Sequence, residues 1–342
     1  MRAAVYYNNK DIRIEEKPIP EIGPDEILMK IEACGICGSD VMEWYRIKKA
    51  PLVLGHEVSG TVHKKGAHIS QYAQGQRIVA AHHVPCNTCK YCISGNHTVC
   101  DTLRSTNFDP GGFTEYVRLP AINVDRGVFP IADSVTFEDA TFVEPLACVY
   151  RGQKKAQIKP GQSVLIFGGG ISGLLHVKCA RALGAGRIVV IDVLENRLKA
   201  ALEYGADYAY HASEYSPEKF REINNGYLAD NVIVCTSATS AFEAGFASLE
   251  RGATMLIFAP TQHGLTMPLS LNDIFWKNDA TVTTTYAGSP EDHVIAHELI
   301  RSGRIVVSDM ISHSLGLRDT VKGFHLVSEG KASIKVIIKP QE

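Results

Sequence analysis

The feature that most constrains this chain is a glycine turn set between a strand and a helix. Val164–Phe167 is a short apolar run, Gly168-Gly169-Gly170-Ile171-Ser172-Gly173 follows it in the pattern G-x-G-x-x-G, and residues 171–183 continue with helical character. The hexapeptide alone is weak. With a strand before it and a helix after it, it is what a dinucleotide needs, because glycines let the backbone approach a pyrophosphate at a positive helix N-terminus. A second buried run, residues 188–191, ends at Asp192, 19 residues beyond Gly173. A carboxylate there grips the ribose hydroxyls of the adenosine half and repels a 2′-phosphate, so the predicted cofactor is NAD.

Beyond the turn, apolar runs at 231–235 and 254–258 alternate with helical stretches at 194–204 and 241–249, and 281–286 reads as the last strand. This alternation predicts an α/β fold with a doubly wound parallel sheet. Residues 1–145 differ: β-like runs at 3–5, 27–31, 58–62, 77–79 and 113–119 are punctuated by Gly, Pro and Asn, which predicts a β-rich domain. At ~150 residues per domain, a chain of this length should hold two. The 45% of hydrophobic residues can fill two cores, and a formal charge of -2 argues against coating nucleic acid or an anionic membrane. No apolar stretch approaches the ~20 residues of a membrane span. The N-terminal residues 1–16 read as two strands rather than an export signal, so the nine cysteines are expected in the reducing cytoplasm, bound to metal or used in catalysis.

Cys86, Cys89, Cys92 and Cys100 follow C-x2-C-x2-C-x7-C. Four thiolates in one loop close a tetrahedral shell and leave no position for substrate, the arrangement of a structural zinc. A nucleic-acid-binding ribbon would need a basic face, and only Lys90 lies inside the cluster. A second constellation is Cys37-Gly38-Ser39-Asp40, with His56-Glu57 beginning 19 residues after Cys37. A thiolate and an imidazole suit zinc, and Glu57 or the later Glu144 could complete a three-ligand site with one exchangeable position, the mark of catalytic zinc. In isolation a lone histidine or cysteine is more often a packed core residue.

Taken together these motifs resemble the zinc-dependent medium-chain dehydrogenase/reductase family. Gly55-His56-Glu57-x2-Gly60-x5-Gly66-x2-Ile69 is similar to its zinc signature. Cys37-Gly38-Ser39-Asp40 and Phe142-Val143-Glu144-Pro145-Leu146-Ala147 resemble its sorbitol and threonine dehydrogenase branches, and Asp192-x4-Arg197-Leu198 resembles its NAD-binding segment. The resemblance implies a GroES-like catalytic domain over 1–148 and 289–342, a Rossmann domain over 149–288, and a cleft between them. It implies that Cys37, His56 and Glu144 hold the catalytic zinc, with Glu57 a close or exchanging ligand.

The implied reaction is oxidation of a secondary hydroxyl to a ketone. Zinc lowers the pKa of the hydroxyl and the hydride passes to nicotinamide. The sorbitol-like branch implies a polyol, sugar or related small alcohol; the threonine branch implies a β-hydroxy amino acid, and its members share a histidine at the position of His83. A zinc-free reductase, or a non-catalytic binding protein on the same scaffold, are the competing classes. Trp44 and His83 are the candidate substrate contacts. One departure stands out: the family usually places a relay histidine five residues after the zinc cysteine, and this chain has Met42 there, so Ser39 must pass the proton to water, Glu57 or His83. The expected assembly is a homo-oligomer, a tetramer or dimer, through an exposed edge strand at 281–286.

Overall fold

The computed structural model describes residues 1–261 and 263–342. The chain divides into two compact units, one formed by Met1–Ala147 with Ala287–Glu342, the other by Cys148–Tyr286.

The first unit is built on antiparallel strands. Arg2–Asn8 pairs with Asp11–Glu16 and with Leu52–Val53. A larger sheet runs in the order Ile311–Gly316, Lys335–Lys339, Ile27–Gly35, Glu57–Lys65, Arg77–Ala80 and Val128–Pro130, with Tyr116–Leu119 also paired to Ile27–Gly35. Ile27, Met29 and Ile31 alternate inward from the central strand and meet Val58, Ile78 and Phe113 in one buried cluster. The helix Thr320–Glu329 adds Phe324, whose ring centroid lies 5.9 Å from Tyr6 and 5.8 Å from Phe113. The expected strand at 113–119 is shorter, because Phe113 instead donates its N–H to the Leu54 carbonyl and Thr114 only bridges Ala3. The helix Pro290–Arg301 starts where Ser289 and Asp292 form a reciprocal capping box.

The second unit carries, among the described residues, six parallel strands in the order Tyr208–His211, Ile188–Asp192, Val164–Phe167, Ala229–Val234, Leu249–Ile257 and Thr281–Thr284. Numbered along the chain this is 3-2-1-4-5-6, the Rossmann order, which reverses direction beside Val164–Phe167. The two innermost strands on that side are buried at every residue, which is why they read as continuous apolar runs rather than alternating ones. Helices Ile171–Ala182, Glu195–Glu203 and Thr239–Ala247 pack on the sheet. Thr281–Thr284 forms one edge and is largely exposed. The fifth strand begins at Leu249, not 254: Gly252, at φ +74°, lets the backbone pass through a left-handed residue and still pair with Ala229–Val234.

Candidate active site and metal centres

The register of the first unit's sheet brings three potential ligands together. Gly35, the last residue of the central strand, lies opposite Glu57 on one side and Ile337 on the other. The chain then turns through Cys37, and His56 immediately precedes Glu57. The ligand atoms of Cys37, His56 and Glu57 lie within 4.8 Å of one another. Asp40 organises this turn. Its Oδ2 accepts the Cys37 N–H at 3.0 Å, and its Oδ1 lies 3.3 Å from His56 Nδ1, which leaves the other imidazole nitrogen for a metal. Burial alone would push the His56 pKa down; the Asp40 carboxylate and contacts with Asp40 and Cys37 reverse this and hold it well above its ordinary value. The donor set of thiolate, imidazole and carboxylate, with negative charge gathered around it, fits a zinc ion.

Glu57 is 1% exposed, and its Oε2 is held by the ammonium of Lys335, equally buried. A Cβ on Gly35 would fall 2.0 Å from that carboxylate oxygen, so the close approach requires glycine. Glu144, second in the helix Val143–Lys155, is buried and acts electrostatically on Lys335. It is not one of the three residues whose ligand atoms converge.

Ser39 donates its N–H to Cys37 Sγ at 3.4 Å, and its hydroxyl accepts from Arg46 Nη2 at 3.1 Å. His83 does not join the trio: its Nδ1 lies 2.7 Å from the Thr106 carbonyl, and burial pushes its pKa down to about 4. Its ring lies 3.8 Å from that of His82, which in turn lies 4.7 Å from His56. Trp44 is 43% exposed and packs on Tyr45. Lys335, Arg46 and His82 were beyond sequence reasoning. Asp40 carried a signal, since a carboxylate three residues after Cys37 can cap its N–H.

The four cysteines also converge. Sγ–Sγ distances are 3.6 Å for Cys89–Cys92, 3.6 Å for Cys86–Cys100 and 4.0 Å for Cys86–Cys92. Tetrahedral zinc with ~2.3 Å bonds needs sulfurs roughly 3.8 Å apart. No cysteine among the described residues is in a disulfide. Cys86 also accepts the Cys89 N–H at 3.3 Å, and hydrogen bonds from Thr88 and Cys89 lower its pKa to about 5.

In the second unit, Gly168 sits at φ +98°, and a Cβ there would come 2.9 Å from the Cys235 carbonyl. A Cβ on Gly173 would lie 1.8 Å from the Gly168 carbonyl. Gly170 caps the helix that Ile171 and Ser172 open, with no side-chain cap on its first-turn N–H groups. Asp192 lies at the end of its strand. Its Oδ2 accepts from Gly169 N at 2.6 Å and lies 3.5 Å from Arg197 Nη1, and its Oδ1 accepts from Val193 and Leu194 N. A glycine cradle beside an ordered carboxylate fits the pyrophosphate and ribose of a dinucleotide.

The alcohol dehydrogenase GroES-like domain matches residues 23–132 and the zinc-binding dehydrogenase domain residues 172–302. Sorbitol dehydrogenase of Gallus gallus is 30% identical, over 98% of this chain and 96% of its own length. The chain belongs to the zinc-dependent medium-chain dehydrogenases, in their sorbitol dehydrogenase-like branch. Sorbitol dehydrogenase of Ovis aries is likewise 30% identical, over 98% of this dehydrogenase and 95% of its own length. A "putative zinc-binding dehydrogenase" of Sinorhizobium meliloti 1021, solved bound to NADP, superposes with a TM-score of 0.87 at 28% identity over 99% of both chains. This dehydrogenase is therefore an enzyme with the fold expected from its motifs, a GroES-like domain and a Rossmann-like parallel sheet.

Proposed function

We propose that this dehydrogenase oxidises a secondary hydroxyl of a polyol, sugar or related alcohol to the ketone, with NAD as hydride acceptor. The convergence of Cys37, His56 and Glu57, with the Ser39 N–H donated to Cys37 Sγ, carries this reading. Similarity to sorbitol dehydrogenases supports the polyol. Cys37, His56 and Glu57 would hold a zinc ion, which would supply Lewis acidity toward the substrate hydroxyl. Asp40 fixes the His56 ring, Lys335 holds one oxygen of Glu57, and Ser39 takes the hydroxyl proton. Cys86, Cys89, Cys92 and Cys100 hold a second zinc that serves the fold. Asp192 selects NAD over NADP, with Gly168 to Gly173 around the pyrophosphate and Arg197 beside the ribose.

The site of action is the cytoplasm, and the partners are a small alcohol and further copies of the same chain. The exposed edge strand Thr281–Thr284 and the exposed Phe275 and Trp276 close to it in sequence support a homo-oligomer, a tetramer or dimer. A monomer mass in light scattering at micromolar protein overturns the assembly.

The test of the activity is NADH production over polyols, sugars, threonine and simple secondary alcohols, with zinc measured per chain. Turnover of a polyol or sugar is expected, with about two zinc ions per chain. Cys37→Ser should abolish turnover and retain the fold and about one zinc. Turnover of threonine alone favours a β-hydroxy amino acid substrate. No turnover of any alcohol, or full activity in Cys37→Ser, overturns the proposal.

A further inference from the structure

Arg46 ends the short helix Glu43–Arg46, and its guanidinium folds back over the turn that carries Cys37. Nε donates to the Ser39 carbonyl at 2.9 Å and Nη2 to the Ser39 hydroxyl at 3.1 Å. Nη2 also lies 3.6 Å from Asp40 Oδ1, and the guanidinium carbon stands 4.7 Å from the Tyr45 ring centroid. The side chain is only 15% exposed. One planar cation thus holds both the main chain and the side chain of Ser39. Met42, four residues before Arg46, offers only a thioether and cannot carry a proton.

A serine hydroxyl has two lone pairs and one proton, and a guanidinium has donors only. When Arg46 occupies one lone pair, only two directions remain on Oγ, one for the O–H and one for the other lone pair. Arg46 cannot accept the proton itself, so it does not act as a base. We propose that Arg46 is a positioning residue for proton transfer: it locks the Ser39 hydroxyl so that Oγ receives the substrate proton while Ser39 releases its own proton to solvent. No charge changes on Arg46, and one proton enters Ser39 as one leaves. The proposal rests on the dehydrogenase reading above.

The test is a double-mutant cycle on the zinc-loaded enzyme with NAD and D-sorbitol, or the best alcohol of the panel, together with crystal structures of the variants. Arg46→Met should lower kcat by roughly 10- to 100-fold, the range for losing a hydrogen bond from a charged donor, with KM changed less than about threefold. Zinc content and melting temperature should stay near those of the parent. Arg46→Lys should restore part of kcat. In the Ser39→Ala background, Arg46→Met should have no further effect, because its action passes through the hydroxyl. The crystal structure of Arg46→Met should show Ser39 turned from its present position or spread over several rotamers. Additive losses in the cycle overturn the proposal, as does an unmoved Ser39. If no alcohol is oxidised, the dehydrogenase reading fails by itself, and the position of Ser39 in the Arg46→Met crystal still decides this one.

Discussion

Glu57 and Lys335 form a fully buried ion pair although 278 residues separate them in sequence. Burial alone would lower the Lys335 pKa, but the Glu57 carboxylate and other nearby anionic groups raise it, so the ammonium stays charged. Removing one member of such a pair leaves an uncompensated charge in a low dielectric, at ~3–5 kcal/mol. Lys335→Met should therefore destabilise the protein by about that amount in urea melts. Adding Glu57→Gln should recover part of the loss. If Lys335→Met is as stable as the parent, the pair does not hold Glu57.

The four-cysteine loop gives a separable prediction. Its ligands come from one short segment around Lys90–Ile93, and few apolar residues pack there. Metal binding and folding are then coupled. Cys89→Ser should lose about one zinc per chain and melt several degrees lower, with the remaining zinc retained in atomic absorption. Undiminished zinc content in this variant would refute the assignment.

Asp192 should govern affinity for the dinucleotide. Its carboxylate already accepts from three backbone N–H groups, so it is fixed before any ligand arrives. Asp192→Ala should weaken NADH binding by ~1.5–3 kcal/mol, as the loss of charge-assisted hydrogen bonds predicts. NADPH binding should change less. Fluorescence titration reads both, and equal affinity of the parent for the two cofactors would contradict the NAD assignment.

A pH effect follows from His176, fully buried in the helix Ile171–Ala182 with its ring 4.6 Å from Phe258. Burial lowers its pKa from 6.5 to about 3. Between these values the unfolded chain binds a proton that the folded chain refuses. This contribution is complete above about pH 6.5 and is lost as the pH falls toward 3. By pH 5 the loss should reach about 2 kcal/mol. Urea melts at pH 7.5 and 5.0 should show a flatter response in His176→Leu than in the parent. Equal slopes would mean that His176 is not the responsible group.

What the sequence made legible is what is local. The strands at 164–167 and 188–192 are buried on both faces, so they announce themselves as unbroken apolar runs. The zinc-type cysteine spacing and the glycine turn each lie within one short segment. Tyr208–His211 escaped notice because it is a half-exposed edge strand without an apolar run, and the first half of Leu249–Ile257 because it carries Glu250, Arg251 and Gly252. The surroundings of the candidate ligands were the least visible. Lys335 meets Glu57 only through the pairing of Lys335–Lys339 with Ile27–Gly35, and Arg46 meets Ser39 only because a short helix turns it back.

That sheet pairing orders events during synthesis. The strand Lys335–Lys339 enters between Ile311–Gly316 and Ile27–Gly35, so the first unit is closed by residues that leave the ribosome after the whole of the second. The cysteine loop needs only residues 86–100 and has its ligands early. Glu57 emerges long before its counter-charge and must wait in water while the parallel sheet forms downstream. The Glu57 carboxylate thus gains its buried partner only after Lys335 has emerged, and a nascent chain halted before Lys335 would carry every candidate zinc ligand yet lack that cation.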